Sequence, residues 1–212
     1  MNGKFITLEG VEGAGKSTAL AFIKQTLIDH AIPLVVTREP GGTQISEKIR
    51  TLLLDRSNHV LDSNAELLLM FAARAQHLAQ LIIPSLQQGK WVLCDRFTDA
   101  TYAYQGGGRG IDTHKIAMLE TFVQGDLRPD FTILLDINPE QGLSRVSQRG
   151  ELDRFEVEKL DFFHAVRDHY LERARIYGNR FRIVDASEPI AEVHRQLKRI
   201  LADIIANHSV AK

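Results

Sequence analysis

The residues Gly10-Val11-Glu12-Gly13-Ala14-Gly15-Lys16-Ser17 have the spacing G-x-x-x-x-G-K-[ST]. Glycines let a backbone curl so that consecutive N–H groups point inward at phosphate oxygens. A helix opening near Lys16 adds its positive end to the same anion site. Lys16 brings a full charge to β- and γ-phosphates, and Ser17 offers a hydroxyl to Mg²⁺. Gly10, Val11, Glu12, Gly13, Ala14, Gly15, Lys16, Ser17 and Thr18 are therefore read as a triphosphate cradle, with Lys16 and Glu12 among the catalytic candidates. GTPases, motor ATPases and small-molecule kinases all use such a loop, so it gives a nucleoside triphosphate and Mg²⁺ but no reaction.

Other residues narrow the chemistry. Asp95 ends an apolar run and is followed by Arg96 and Phe97. An acid at the C-terminal end of a strand beside the loop can hold Mg²⁺ directly or through water. The forked guanidinium of Arg96 suits a phosphate. Arg38 and Glu39 leave another run through Pro40, Gly41 and Gly42, a turn at the sheet edge where ligands bind. Arg50 and Arg74 lie on the helices that follow, and Met70 and Phe71 are four and three residues before Arg74, so either can stand beside it. Tyr104 and Gln105 precede Gly106-Gly107-Gly108-Arg109-Gly110, which reads as a flexible loop able to wrap a ligand.

These residues need a scaffold, and the pattern supplies one. Apolar runs at 5–8, 34–37, 91–94, 131–137 and 181–184 are continuous rather than alternating, as in a parallel sheet covered on both faces. Helical stretches fall between them at about 17–30, 44–54, 64–88, 113–124, 139–148, 156–177 and 189–207. The alternation predicts an α/β three-layer fold in a single domain. Ser63 and Glu66 have capping-box spacing, and Asp112 or Thr113 can cap the next helix. Gly89 and Gly125 stand where helices end in a left-handed residue.

Composition excludes some classes. The chain has 212 residues, 44% hydrophobic and 25% charged, with a formal net charge of −1. General nucleic-acid and membrane-surface binders need a basic excess, so neither partner is expected. The apolar run from Leu67 to Ala73 is far short of the roughly 20 residues that cross a bilayer. The single cysteine, Cys94, cannot form an internal disulfide and reads as a buried strand residue, so a reducing, cytoplasmic setting is expected. His164 and His169 are five apart, about 140° around a helix, and do not share a face for zinc. A GTP-hydrolysing switch would want an Asn/Thr-Lys-x-Asp tetrapeptide, which the sequence lacks.

Taken together, Leu8–Thr18, the Arg38–Thr43 turn, Phe71-Ala72-Ala73-Arg74, Asp95-Arg96-Phe97, Tyr104–Gly110 and Arg149-Gly150-Glu151-Leu152-Asp153-Arg154 resemble the thymidylate kinase family in its bacterial form. The resemblance implies a P-loop kinase with a five-stranded parallel sheet, helices on both faces and a short lid at about 149–155. It implies transfer of the ATP γ-phosphoryl group to dTMP on the way to dTTP, with Mg²⁺ as cofactor and a homodimer as the assembly. By similarity, Ser17 and Asp95 serve the metal. Arg96 and Arg50 hold the acceptor phosphate, with Arg38 and Glu39 nearby. Arg74 donates to the pyrimidine's exocyclic oxygen, and Thr101 and Gln105 read its N3 edge. Tyr104 packs against the sugar where a ribonucleotide carries its 2′-hydroxyl. Relatives stack an aromatic ring on thymine, the role assigned to Phe71; many carry that Phe four residues before Arg74, where this chain has Met70. Some members carry the transition-state arginine inside the P-loop. That place is Gly13 here, so Arg149 or Arg154 is expected to supply the charge, Arg154 first.

Overall fold

The computed structural model describes residues 3–58, 60–146 and 153–209. Five strands alternate with helices: β1 (Phe5–Gly10), β2 (Leu34–Arg38), β3 (Trp91–Asp95), β4 (Phe131–Asp136) and β5 (Phe181–Asp185). They form one parallel sheet in the order β2-β3-β1-β4-β5. Every residue of β1 is buried, which requires cover on both faces and explains its unbroken apolar run. The order reverses around β1, and that switch point opens the crevice in which α/β proteins bind ligands.

The helices are α1 (Lys16–Asp29), α2 (Gln44–Leu54), α3, α4, α5 (Thr113–Gln124), α6 (Pro139–Val146), α7 (Leu160–Ile176) and α8 (Ile190–Ser209). Helix α3 begins at Ser63, passes through a π-helical turn at Leu78–Ile82 and ends at Gln87. Its 25 residues are long and apolar enough to span a membrane by length and composition, unlike the short run read from the sequence. One face of it is packed into the fold, with Glu66, Arg74 and His77 buried, while Leu68 on another face is exposed.

Three local expectations are corrected. The cap of α3 is Asp62, whose carboxylate accepts from the Asn64 and Ala65 amides; Ser63 does not cap, and Glu66 is used elsewhere. The glycine-rich run is not an open loop. Helix α4 starts at Thr98–Thr101 and continues with π-helical spacing over Tyr102–Gly108. The missing side chains let α4 lie against α7: a Cβ on Gly107 would sit 2.5 Å from His169 Nδ1, and one on Gly108 would strike the Phe162 ring. Helix α7 starts at Leu160 rather than 156. Of the expected lid, 149–152 lies outside the described residues, and so does Arg149.

Candidate active site

At the C-terminal end of β1 the chain turns through Gly13 (φ 72°) and Gly15 (φ 86°) into α1. Gly13 meets the backbone of Gly142 on α6, so no side chain fits there without moving α6. Lys16 folds over the loop and donates to the carbonyls of Gly10 (2.9 Å) and Val11 (3.0 Å). Burial and the nearby Arg96 charge pull its ammonium below the ordinary lysine value. Val11 and Ala14 bury their side chains in the core, so only their backbone belongs to the cradle. Ser17 and Thr18 are exposed, and of the two only Ser17 lines the adjoining cavity.

That cavity, of about 330 Å³, runs from Gly13, Gly15, Lys16 and Ser17 to the acceptor-side residues. Arg38, Glu39, Arg50, Arg74, Asp95, Arg96, Thr101, Tyr104 and Gln105 all border it, so one space collects nearly every expected site residue. Among the expected acceptor-side residues Phe71 is the exception. It is buried against Leu67, Tyr102 and Ile116, with the Arg74 guanidinium over its ring at 4.8 Å. Met70, one residue earlier, faces the cavity together with Phe97.

Arg96 sits at φ 66°, a left-handed conformation that an L-residue adopts at a cost. Three bonds hold it there. Its amide donates to Leu8 O (2.9 Å), Cys94 Sγ donates to its carbonyl (3.0 Å), and the Phe97 amide donates to Glu9 Oε1 (2.7 Å). The guanidinium then reaches Glu12 Oε1 and covers the Tyr104 ring at 4.5 Å. Tyr104 also donates to Glu12, at 3.0 Å, and Lys16 lies 3.9 Å from it. Burial disfavours the Glu12 carboxylate, but Arg96, Lys16 and the Tyr104 hydroxyl outweigh that and bring its pKa to about 2. Glu12 is thus an anion throughout the physiological range, balancing the two cations that face an incoming phosphate.

Arg74 is fixed on two sides. Its Nε donates to Glu39 Oε2 (2.7 Å) and its Nη2 to Thr101 Oγ1 (2.9 Å). Its Nη1 is buried and has no hydrogen-bond partner among the described residues, although Arg74 as a residue borders the cavity. Glu39 is committed to Arg74 and His77, and His77 continues the chain to Thr37. Asp95 Oδ1 is likewise buried and has no partner among the described residues. Arg38 pairs with Glu47, and Arg50 donates to Pro40 O.

Arg154 is not in the cavity wall. It is buried, paired with Glu66, and its Nε donates to Leu53 O (2.8 Å). The first-choice transition-state arginine is therefore tied to α3 and to the end of α2. Its neighbours Asp153, Phe155 and Glu156 do line the cavity.

Sequence reasoning missed Glu9, Glu66 and His77. Their signals were weak: an acid inside an apolar strand, a cap-like spacing, and a histidine three residues beyond Arg74 on the same helix face. Glu9 accepts from Phe97 N and, at 2.9 Å, from Tyr170 Oη. Burial, with Asp99 nearby, raises its pKa to about 8.

A phosphate-cradling loop that shares one cavity with a cluster of arginines and a half-paired, buried guanidinium is the layout of a P-loop nucleotide kinase. Comparison with known proteins narrows that class. The thymidylate kinase family profile matches residues 8–197. Thymidylate kinases of Pseudomonas savastanoi pv. phaseolicola and Pseudomonas entomophila are each 55% identical over 205 residues, covering 97% of this chain and 98% of theirs. A crystal structure of thymidylate kinase from Ehrlichia chaffeensis superposes with a TM-score of 0.77 at 34% identity, covering 94% of this chain and 98% of that one. The chain belongs to the thymidylate kinase family.

Proposed function

We propose that the chain transfers the γ-phosphoryl group of ATP to the 5′-phosphate of dTMP, giving dTDP and ADP. An oxygen of the acceptor phosphate forms a bond to Pγ as the bond from Pγ to the β–γ bridging oxygen breaks, and the electron pair leaves with ADP. The observation that carries this is Arg74, which borders one cavity with Thr101, Gln105 and Lys16 and whose buried Nη1 has no partner among the described residues. It suits a carbonyl oxygen on a pyrimidine edge. Arg96 and Arg50 take the acceptor phosphate, with Arg38 at its rim. Lys16 and the loop amides hold the donor phosphates, and Tyr104 closes the space beside the sugar. Met70 and Phe97, rather than Phe71, meet the base.

Mg²⁺ fits the donor set present: Ser17 and Asp95 both line the cavity, and the buried Asp95 Oδ1 has no partner among the described residues. Bound there, the ion would neutralise charge on the β- and γ-phosphates. The test is ADP release against a panel of nucleoside monophosphates at fixed ATP–Mg²⁺. dTMP is turned over with the highest kcat/KM; equal turnover of dCMP or dGMP would rule the proposal out.

The assembly we propose is a homodimer through α3 and its neighbours. Of the apolar run Leu67–Ala73, Leu67, Phe71 and Ala73 are buried within the protomer, so the contact falls to its exposed residues and those beside them. Leu68 on α3 is 56% exposed, and Phe122 on α5, which packs beside α3, is 86% exposed. Exposed large apolar side chains grouped on adjacent helices mark an interaction surface. Light scattering should give about twice the chain mass of 23.9 kDa. Phe122→Glu should return it to the monomer value, and a monomeric wild type at micromolar concentration removes the dimer.

A further inference from the structure

Glu66 is a buried carboxylate in the first turns of α3, and it touches neither end of the proposed phosphoryl path. Its Oε1 accepts from Gln105 Nε2 at 2.9 Å and from Arg109 Nε at 3.4 Å. Its Oε2 is held by Arg154 Nη2. A carboxylate only accepts hydrogen bonds, so the edge of Gln105 turned toward it is the NH2 edge. The other edge, the carbonyl oxygen Oε1, is left for the cavity that Gln105 lines, and it makes no hydrogen bond among the described residues. We infer that Glu66 is a positioning residue: it fixes the amide orientation of Gln105 and thereby selects a base carrying an N–H, not a lone pair, at position 3.

The chemistry follows from the two pyrimidine edges. Thymine presents N3–H, a donor that meets the Gln105 carbonyl. Cytosine presents N3 as an acceptor, so two acceptors would face each other in a buried site. An unpaired buried polar group there costs far more than the net gain of a good hydrogen bond. A free glutamine could avoid the clash by turning over. Glu66 prevents that, because the turned amide would set its carbonyl against a carboxylate. Arg109 and Arg154 keep the carboxylate in place, and Arg154 is itself pinned by Leu53 O. The inference rests on Gln105 facing the base, as the proposed function has it.

The experiment compares dTMP with 5-methyl-dCMP, which keeps the methyl group, sugar and phosphate and changes the base only at positions 3 and 4. With Glu66→Gln, the new amide keeps its oxygen toward Arg154 and turns its NH2 toward Gln105. Gln105 then presents NH2 to the base. The ratio of kcat/KM for dTMP over 5-methyl-dCMP should fall by about tenfold or more, while KM for ATP stays within about twofold. Glu66→Asp keeps a negative charge between the two arginines but shortens its reach to Gln105, so it tests the same step without neutralising the site; the ratio should fall there too. In a Gln105→Ala background neither change should alter the ratio further, because Glu66 acts through that amide. A merely structural role for Glu66 would lower the melting temperature and leave the ratio alone. If Gln105→Ala itself leaves the ratio unchanged, Gln105 does not read the base and the inference fails with it. If Gln105→Ala lowers the ratio and both Glu66 variants hold it within twofold of wild type, Gln105 keeps its role and the positioning by Glu66 is overturned.

Discussion

Replacing Lys16 with alanine should lower kcat by at least about 10²- to 10³-fold, the range seen when one preorganised donor to a developing oxyanion is removed. The ammonium is held over the loop by the Gly10 and Val11 carbonyls, at 2.9 and 3.0 Å. These bonds keep the charge at the loop, where an incoming triphosphate can exchange for the carbonyls. Burial already works against its charge, which makes that charge more effective on a nearby phosphate. The fold should survive, because Glu12 keeps its other partners, Arg96 and the Tyr104 hydroxyl. Two measurements separate these effects. Steady-state ADP release gives the loss in kcat, and thermal melting with and without ATP–Mg²⁺ gives the loss in donor binding. The variant should melt close to wild type alone and show a smaller rise with ATP–Mg²⁺. Turnover near the wild-type rate would remove Lys16 from the phosphate site.

The sheet was legible because a buried parallel strand leaves little choice of residue. The runs starting at Phe5, Leu34, Trp91, Phe131 and Phe181 all became strands. Helices α2 and α5 were legible to the residue; Asp112 caps α5, as its type suggested, and the structure adds Thr43 as the cap of α2. Helix α4 was not. Three consecutive glycines argue against a helix on local propensity, and only the close approach of α7 explains their use within one. Local signals also misplaced Glu66: it has the spacing of a capping residue, but its partners are Gln105, Arg109 and Arg154, the last 88 positions away. No local pattern carries such a pairing. Met70 and Phe71 illustrate the remaining limit. Both are apolar and adjacent on α3, and the cluster around Ile116 decides that Phe71 turns inward and Met70 toward the cavity.

Arg149→Ala should cost at least about 10²-fold in kcat, and Arg154→Ala less than about tenfold. Phosphoryl transfer spreads negative charge over the moving group, and an arginine that meets it is worth roughly 10³–10⁵ in related enzymes. The P-loop cannot supply that arginine, because a side chain at Gly13 would run into the Gly142 backbone. Arg154 is committed to Glu66 and Leu53 O, and leaving them would take the ion-pair partner from the buried Glu66 Oε2. Arg74 and Arg50 are engaged on the acceptor side by Glu39 and Pro40 O. Arg149, in the polar stretch that resembles the bacterial lid, remains. A group that acts only in the transition state lowers kcat and kcat/KM together, with KM for ATP nearly unchanged. Arg154→Ala should instead loosen the wall formed by Asp153 and Phe155, raising KM for dTMP and lowering the melting temperature. Measuring kcat and both KM values for each variant distinguishes the two arginines. A loss in kcat below about threefold for Arg149→Ala would exclude it, and Arg96, already facing Glu12 in the cavity, would then have to carry the charge.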